Sequence, residues 1–278
     1  MKHKNTLKSD IARELKVTAY GGGVQSTALL VLAAQGELDI TTFLFANVGD
    51  DSEHPATLQY VREVAMPYAH AHGIYISELH YTGKNGEQET LYEHVTKSTQ
   101  TLEIIPVYLQ SGQPGIRACT STWKIGVIAK WLRAHGATAK APATVALGIS
   151  LDEYQRMKDS ASPISINRWP LIERRLSRKD CVGIIQRAGL PVPRKSACFF
   201  CPFTRIKRWH EMADKEPELF ARAAKMETII NDHRHARGKD DAFLTRKLVP
   251  LERVIGTERQ GNLWQEAEPT CDSGYCFM

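Results

Sequence analysis

Two groups of residues in this chain have types and spacings that chemistry can use. The first is Tyr20-Gly21-Gly22-Gly23-Val24-Gln25-Ser26-Thr27. Glycines let backbone N–H groups close on an anion, and a helix starting there adds favourable partial charge. Ser26 and Thr27 would then cap the helix or donate to a phosphate. An ordinary tight strand–helix turn has the same composition. The second group is the thiols. Cys198-Phe199-Phe200-Cys201-Pro202 and Cys271-Asp272-Ser273-Gly274-Tyr275-Cys276 each hold a pair, and Cys119 and Cys181 stand apart. A Cys-x-x-Cys turn brings two thiolates onto one metal or makes a redox dithiol. Phe199, Phe200 and Phe203 would give such a site a wall of low dielectric. Cys181, beside Val182 and Ile184, reads as a small buried residue.

The elements that must position these groups alternate along the chain. Residues 15–20 read as a strand, and 25–36 as a helix stopped by Gly36. Thr42 to Asn47 is a second apolar strand, and Val48-Gly49-Asp50-Asp51 turns out of it. Pro55 opens an amphipathic helix running to about Ala71, and 74–79 is a third strand. Residues 82–115 read as a polar insertion with a short helix near 90–97. A helix over 120–135, a strand over 144–150 and a helix over 177–188 with Ser177 and Asp180 as a capping pair follow. The pattern is helical from Thr204 to His235 with a break near Pro217, then irregular from Gly256. This order predicts an α/β fold, with a Rossmann-like, mostly parallel sheet and helices on both faces. Residues 1–175 would form the nucleotide-binding part. Residues 176–278 would form a helical, cysteine-bearing region packed on the same domain.

Composition narrows the class. With 278 residues, 42% hydrophobic and 24% charged, the chain can bury a sizeable core. No apolar run approaches the roughly 20 residues of a membrane span, and the basic N-terminus lacks a signal-peptide core. These features predict a cytoplasmic protein with no membrane partner, whose six cysteines serve as thiols, ligands or catalysts. The net charge of +5 is concentrated: basic residues crowd 168–208, a density that suits tRNA or DNA or else a solvated helix face.

The glycine cluster resembles the PP-loop, Ser-Gly-Gly-x-Asp-Ser, of the adenine nucleotide alpha-hydrolase superfamily. The chain looks most like its phosphoadenosine-phosphosulfate-reductase-like family, near the DNA and tRNA sulfur-transferase branch. Four more segments match in order: Phe45-Ala46-Asn47-Val48-Gly49 with Pro55-Ala56-Thr57, Arg117-Ala118-Cys119-Thr120 with Trp123-Lys124-Ile125, Leu147-Gly148-Ile149-Ser150 with Glu153 and Arg156, and Cys198-Phe199-Phe200-Cys201-Pro202. Three positions depart from the pattern: Gly21 replaces Ser, and Gln25 and Asn47 replace Asp. Gln25 keeps hydrogen bonding but loses a charge that would help place Mg²⁺, for which Asp50 or Asp51 offers a nearby carboxylate.

The resemblance implies an ATP-dependent sulfur transferase that adenylates an acceptor, nucleic acid or small molecule, and then thiolates it. It implies nucleotide contacts from Tyr20 through Thr27, Asn47, Gly49 and Gly148, and catalytic roles for Ser26, Lys124, Arg156 and Asp50. ATP, Mg²⁺ and a 4Fe-4S cluster would be the cofactors, with a sulfur-donor protein as partner. The cluster would sit on Cys119, Cys198, Cys201 and one of Cys271 and Cys276. Zinc on Cys198, Cys201, Cys271 and Cys276 is the alternative metal. Alternative functions are a reductase of adenylyl or phosphoadenylyl sulfate working through a tail thiol, and a non-catalytic module that binds nucleotide and metal.

Overall fold

The computed structural model describes residues 14–97 and 104–257. Seven strands occur among them: β1 Lys16–Ala19, β2 Thr42–Asn47, β3 Tyr75–His80, β4 Tyr108–Leu109, β5 Ala143–Leu147, β6 Ser165–Arg168 and β7 Ala242–Phe243. Five form one parallel sheet in the order β3-β2-β1-β5-β6, and β4 pairs antiparallel with β7. The protein is an α/β fold of Rossmann-like layout. β2 and β3 lie on one side of β1, and β5 and β6 on the other, so the strand order reverses between β1 and β5. In open α/β sheets, ligands bind beyond the carboxyl ends of the strands at such a reversal.

Alternation along the inner strands sends side chains to two separate cores. Tyr20, Phe43, Phe45 and Ala146 face helices Val24–Ala34 and Arg178–Arg187. Val17, Ala19, Leu44, Ala46, Val145 and Leu147 face Ile128 and Leu132 of helix Val127–Ala134. A third core joins Leu91, Ile105, Val107 and Trp123 to Phe199, Phe200, Trp209 and the helices Ile206–Lys215 and Pro217–His235. Among the described residues, no helix is long and apolar enough to cross a membrane.

Several boundaries differ from expectation for local reasons. The strand expected over 144–150 ends at Leu147, because Gly148 to Ser150 turn out of the sheet into a 3₁₀ segment, Leu151–Arg156. The helix from Pro55 to Ala71 contains a π-helical stretch, Tyr60–Ala65, and the one after Cys119 begins with another, Thr120–Gly126. The edge strand β6 gives no strand pattern in the sequence because Ser165-Ile166-Asn167-Arg168 is short and has three polar residues of four, with Ile166 exposed. The capping pair is present: Asp180 N–H donates to Ser177 Oγ at 3.2 Å, and Ser177 N–H to Asp180 Oδ2 at 2.8 Å. Cys181 is fully buried against the first core, and burial pushes its thiol up to about 12.

Glu227 ties the third core together. From helix Pro217–His235 it is buried and accepts Leu244 N–H at 2.7 Å and Leu251 N–H at 2.6 Å. These donors favour the carboxylate, but burial outweighs them and raises Glu227 to about 7. In the unfolded chain Glu227 ionises near its ordinary 4.5. Between those two values the folded state therefore binds more protons, and stability falls as pH rises. Urea unfolding should show the difference between wild type and Glu227→Gln changing by on the order of 3 kcal/mol across that window. A difference independent of pH would mean that the carboxylate is not held against ionisation.

Candidate functional site

The glycine cluster occupies the carboxyl end of β1, beside the point where strand order reverses. Helix Val24–Ala34 starts immediately after it, with Gly23 as N-cap and no acidic side chain in its first turn. Thr27 N–H makes the first helical bond, to Gly23 C=O at 3.0 Å. The amides before it therefore point out of the helix end, where an anion is favoured. Ser26 closes the turn on itself: its Oγ accepts Gly23 N–H at 3.2 Å and donates to Gly23 C=O at 3.1 Å.

Space around the loop is tight. Gly22 has φ +70°, and a Cβ there would stand 2.9 Å from Val61 Cγ2. A Cβ on Gly23 would meet Ser196 Oγ at 3.0 Å, and one on Gly148 would meet Ser26 N at 2.9 Å. Backbone from the exit of β5 and the segment bearing Ser196 thus lie directly on the loop.

Gln25 has a defined set of partners. Arg178 Nη1 donates to its Oε1 at 2.8 Å, and its Nε2 donates to Glu153 Oε2 at 3.2 Å and Ser150 Oγ at 3.5 Å. Arg156, almost wholly buried, donates from Nη1 to the same Glu153 oxygen at 2.7 Å. Burial raises the Glu153 carboxyl above its usual range, with the Arg156 charge opposing the shift. An Asp at position 25 would bring a like charge toward Glu153; the amide instead links Glu153 to Arg178.

Asn47 repeats this logic at the end of β2. Its Nδ2 donates to Asp50 Oδ1 at 2.8 Å and Glu78 Oε1 at 2.7 Å, and its Oδ1 accepts Gly49 N–H at 2.8 Å. Arg62 grips Asp50 through two bonds of 2.7 Å and reaches Glu78 Oε1 at 2.6 Å. Hydrogen bonding to Arg62 holds the Asp50 carboxyl below its usual range. Asp51 is engaged as well, by Thr90 Oγ1 at 3.0 Å and Ser52 Oγ at 2.9 Å.

The remaining sequence-chosen residues separate by position. Tyr20 and Thr27 are fully buried and bond to each other, hydroxyl to hydroxyl, at 3.2 Å. Both side chains belong to the core, which leaves the backbone of this stretch facing the helix end. Gly49, at φ +129°, is packed against Thr90 and Asp51.

The thiols do meet. Cys119, Cys198 and Cys201 line one cavity of about 30 Å³, with Arg117, Lys124 and Phe203 also in its wall. Ladder bonds from His54 N–H to Ala197 C=O (3.1 Å) and from Phe199 N–H to Ser52 C=O (3.1 Å) place Cys198 opposite Glu53. Glu53, 2% exposed, takes Lys124 Nζ at 3.3 Å. Cys271 and Cys276 lie outside the described residues. Among the described residues, no group of three His, Cys, Asp or Glu side chains is close enough to hold a metal ion. In kind the donors fit a thiophilic metal: thiols of one chemistry converge on one apolar-walled space, with Arg117 and Lys124 to offset thiolate charge.

Sequence reasoning did not select Glu53, Arg178 or Ser196. Their roles depend on contacts between segments far apart in the chain. Only the two π-helical stretches, one against Gly22 and one carrying Lys124, give a local sign, since such turns cluster at functional sites.

Among solved structures, the U34-tRNA thiolase NcsA from Methanococcus maripaludis with its 4Fe-4S cluster is similar at 12% identity and a TM-score of 0.40. The match covers 82% of this chain and 73% of that one. No family model matches the chain, and no curated protein does.

The contact between Gly148 and the glycine loop is backbone against would-be side chain, so neither partner can move aside cheaply. Gly148→Ala should destabilise the protein by about 1–3 kcal/mol, read from urea unfolding. It should also raise amide hydrogen exchange at residues 23–27. Unchanged exchange there would mean that Gly148 does not hold the loop.

Proposed function

We propose that the chain is a nucleotide-dependent sulfur transferase of the PP-loop type, with an adenine nucleotide on the glycine loop and sulfur chemistry at Cys119, Cys198 and Cys201. One observation carries this reading. The segment that rests Ser196 on Gly23 continues through Cys198 to Cys201, so one short stretch of chain touches both the glycine loop and the thiol cavity.

Amides of the helix end would hold the β- and γ-phosphates of ATP, leaving the α-phosphorus open to in-line attack by an acceptor oxygen. Pyrophosphate leaves in that step, and positioning and charge stabilisation do most of the work. Sulfur then displaces AMP from the adenylated acceptor. Arg156 and Arg178 hold Glu153 and Gln25, and so fix the face of the loop toward β5. Lys124, anchored on Glu53, stands in the wall of the cavity that Cys198 lines. A 4Fe-4S cluster held by Cys119, Cys198 and Cys201 would supply a site that presents sulfur to the acceptor. Gln25, Asp50 and Asp51 are all engaged by neighbours, so Mg²⁺ would ride mainly on the nucleotide phosphates and water.

Gln25 favours a second reading. A loop whose amide holds a guanidinium suits a sulfonucleotide, in which nothing is cleaved at the α-phosphorus.

Anaerobically purified protein should contain iron and acid-labile sulfide, and Cys198→Ser should lose both while keeping its fold by circular dichroism. With ATP and an acceptor it should release pyrophosphate. Stoichiometric zinc without sulfide would refute the cluster. Sulfite release from a sulfonucleotide and a thiol, with no pyrophosphate from ATP, would replace the transferase with the reductase.

A further inference from the structure

The basic residues crowded into 168–208 do not act as one surface. Arg168 is held by Glu173 at 2.9–3.1 Å, Arg174 by the Glu37 carbonyl, and Arg178 by Gln25. A different set converges: Arg194, Lys195, Arg208 and, just past the crowded stretch, Lys215 line one cavity of about 330 Å³. Helix Ile206–Lys215 supplies Arg208, Glu211, Met212 and Lys215 to it, a stripe at the spacing of one helical face. Residues 194, 195 and 197–199 form the opposite wall, while Ser196 points the other way onto Gly23.

Charge in the cavity is mixed but net positive. The four cations meet two carboxylates, Glu211 and Glu216. Glu216 is already gripped by Arg194 Nη1 at 3.0 Å and His54 Nε2 at 2.9 Å. His54 Nδ1 accepts Ala56 N–H at 3.2 Å, which fixes the neutral tautomer with Nε2–H toward Glu216. Burial, followed by the Arg194 charge, lowers the His54 pKa, so its ring adds no positive charge near neutrality. Cys198 lines both this cavity and the thiol cavity. An anion seated here therefore lies beside Cys198.

We propose that this cavity is a second anion site, separate from the glycine loop, which seats a backbone phosphate of a single nucleic-acid strand and leads that strand past Cys198. The proposal rests on the sulfur-transferase reading and assigns its acceptor class. A polymer fits better than a lone ion because two further cations, Arg205 and Lys207, stand exposed at the start of the helix that lines the cavity. Phosphates spaced along a strand can use both, and each one neutralised releases counterions.

The test is fluorescence anisotropy of the full chain with labelled single-stranded oligonucleotides, ribose and deoxyribose versions, across a salt series, with ATP binding measured in parallel. The variant is Arg208→Ala combined with Lys215→Ala, its fold checked by thermal unfolding. It should bind the strand about tenfold more weakly, and the slope of log K against log salt should shrink by about 0.7 for each phosphate no longer neutralised. Its ATP affinity should match wild type. Equal strand binding and equal slope in the variant would overturn the proposal. So would complete displacement of the strand by inorganic phosphate at matched ionic strength, which would make this a site for small ions. If wild type binds ATP but no strand, this inference fails and the nucleotide site stands. If wild type binds the strand through these residues but not ATP, the nucleotide reading fails instead.

Discussion

The rest of the site depends on how closely neighbouring segments approach the glycine loop. Three glycine positions, 22, 23 and 148, are in contact with Val61, Ser196 and Ser26 at distances where a Cβ would collide. Each contact joins a different part of the chain to the end of β1: the helix after β2, the segment before Cys198 and the exit of β5. The loop is thus a hub. Its own side chains contribute little, since Tyr20 and Thr27 are turned into the core and Ser26 bonds to Gly23. What it offers is backbone N–H groups at a helix end, and the three neighbours decide what stands around them.

Charge around that hub follows one rule on both sides. Where the resembled pattern carries Asp, this chain has the amides Gln25 and Asn47, and each donates to carboxylates already present nearby. Glu153 on the β5 side and Asp50 with Glu78 on the β2–β3 side are each balanced by arginine: Arg156 for the first, Arg62 for the others. An aspartate at either position would add a like charge to a group that is already partly desolvated or already satisfied. Each departure is therefore compensated by its surroundings, as a package of side chains rather than an isolated loss of charge.

Much of the scaffold was legible because its signals are local. Apolar strand patterns marked β1, β2 and β3; Pro55 marked a helix start, Gly36 a helix end, and Ser177 with Asp180 a cap. β6 was hidden because an edge strand needs only one apolar face, and its run of four residues carries little periodicity. The site was legible as a set of types but not as an arrangement. Cys119 and Cys198 are far apart in sequence, and only the pairing of 52–54 with 197–199 explains why they share a cavity. Glu53 stands in a polar turn with no pattern of its own. Its burial, and its grip on Lys124, exist only after that pairing forms.

The same pairing has a consequence for how reagents reach sulfur. Within this segment Ser196 rests on the glycine loop, while Arg194, Lys195, Ala197, Cys198 and Phe199 line the basic cavity. Cys198, two residues on, sits where the segment ends against the thiol cavity. One short stretch of chain therefore touches both the glycine loop at a helix end and a set of guanidinium and ammonium groups, and it carries Cys198. Amides at a helix end suit a compact, fixed phosphate group. Long cationic side chains on a helix suit an anion that can enter in many registers, such as a polymer backbone. Both chemistries are brought against one short stretch of backbone, and Cys198 is part of it.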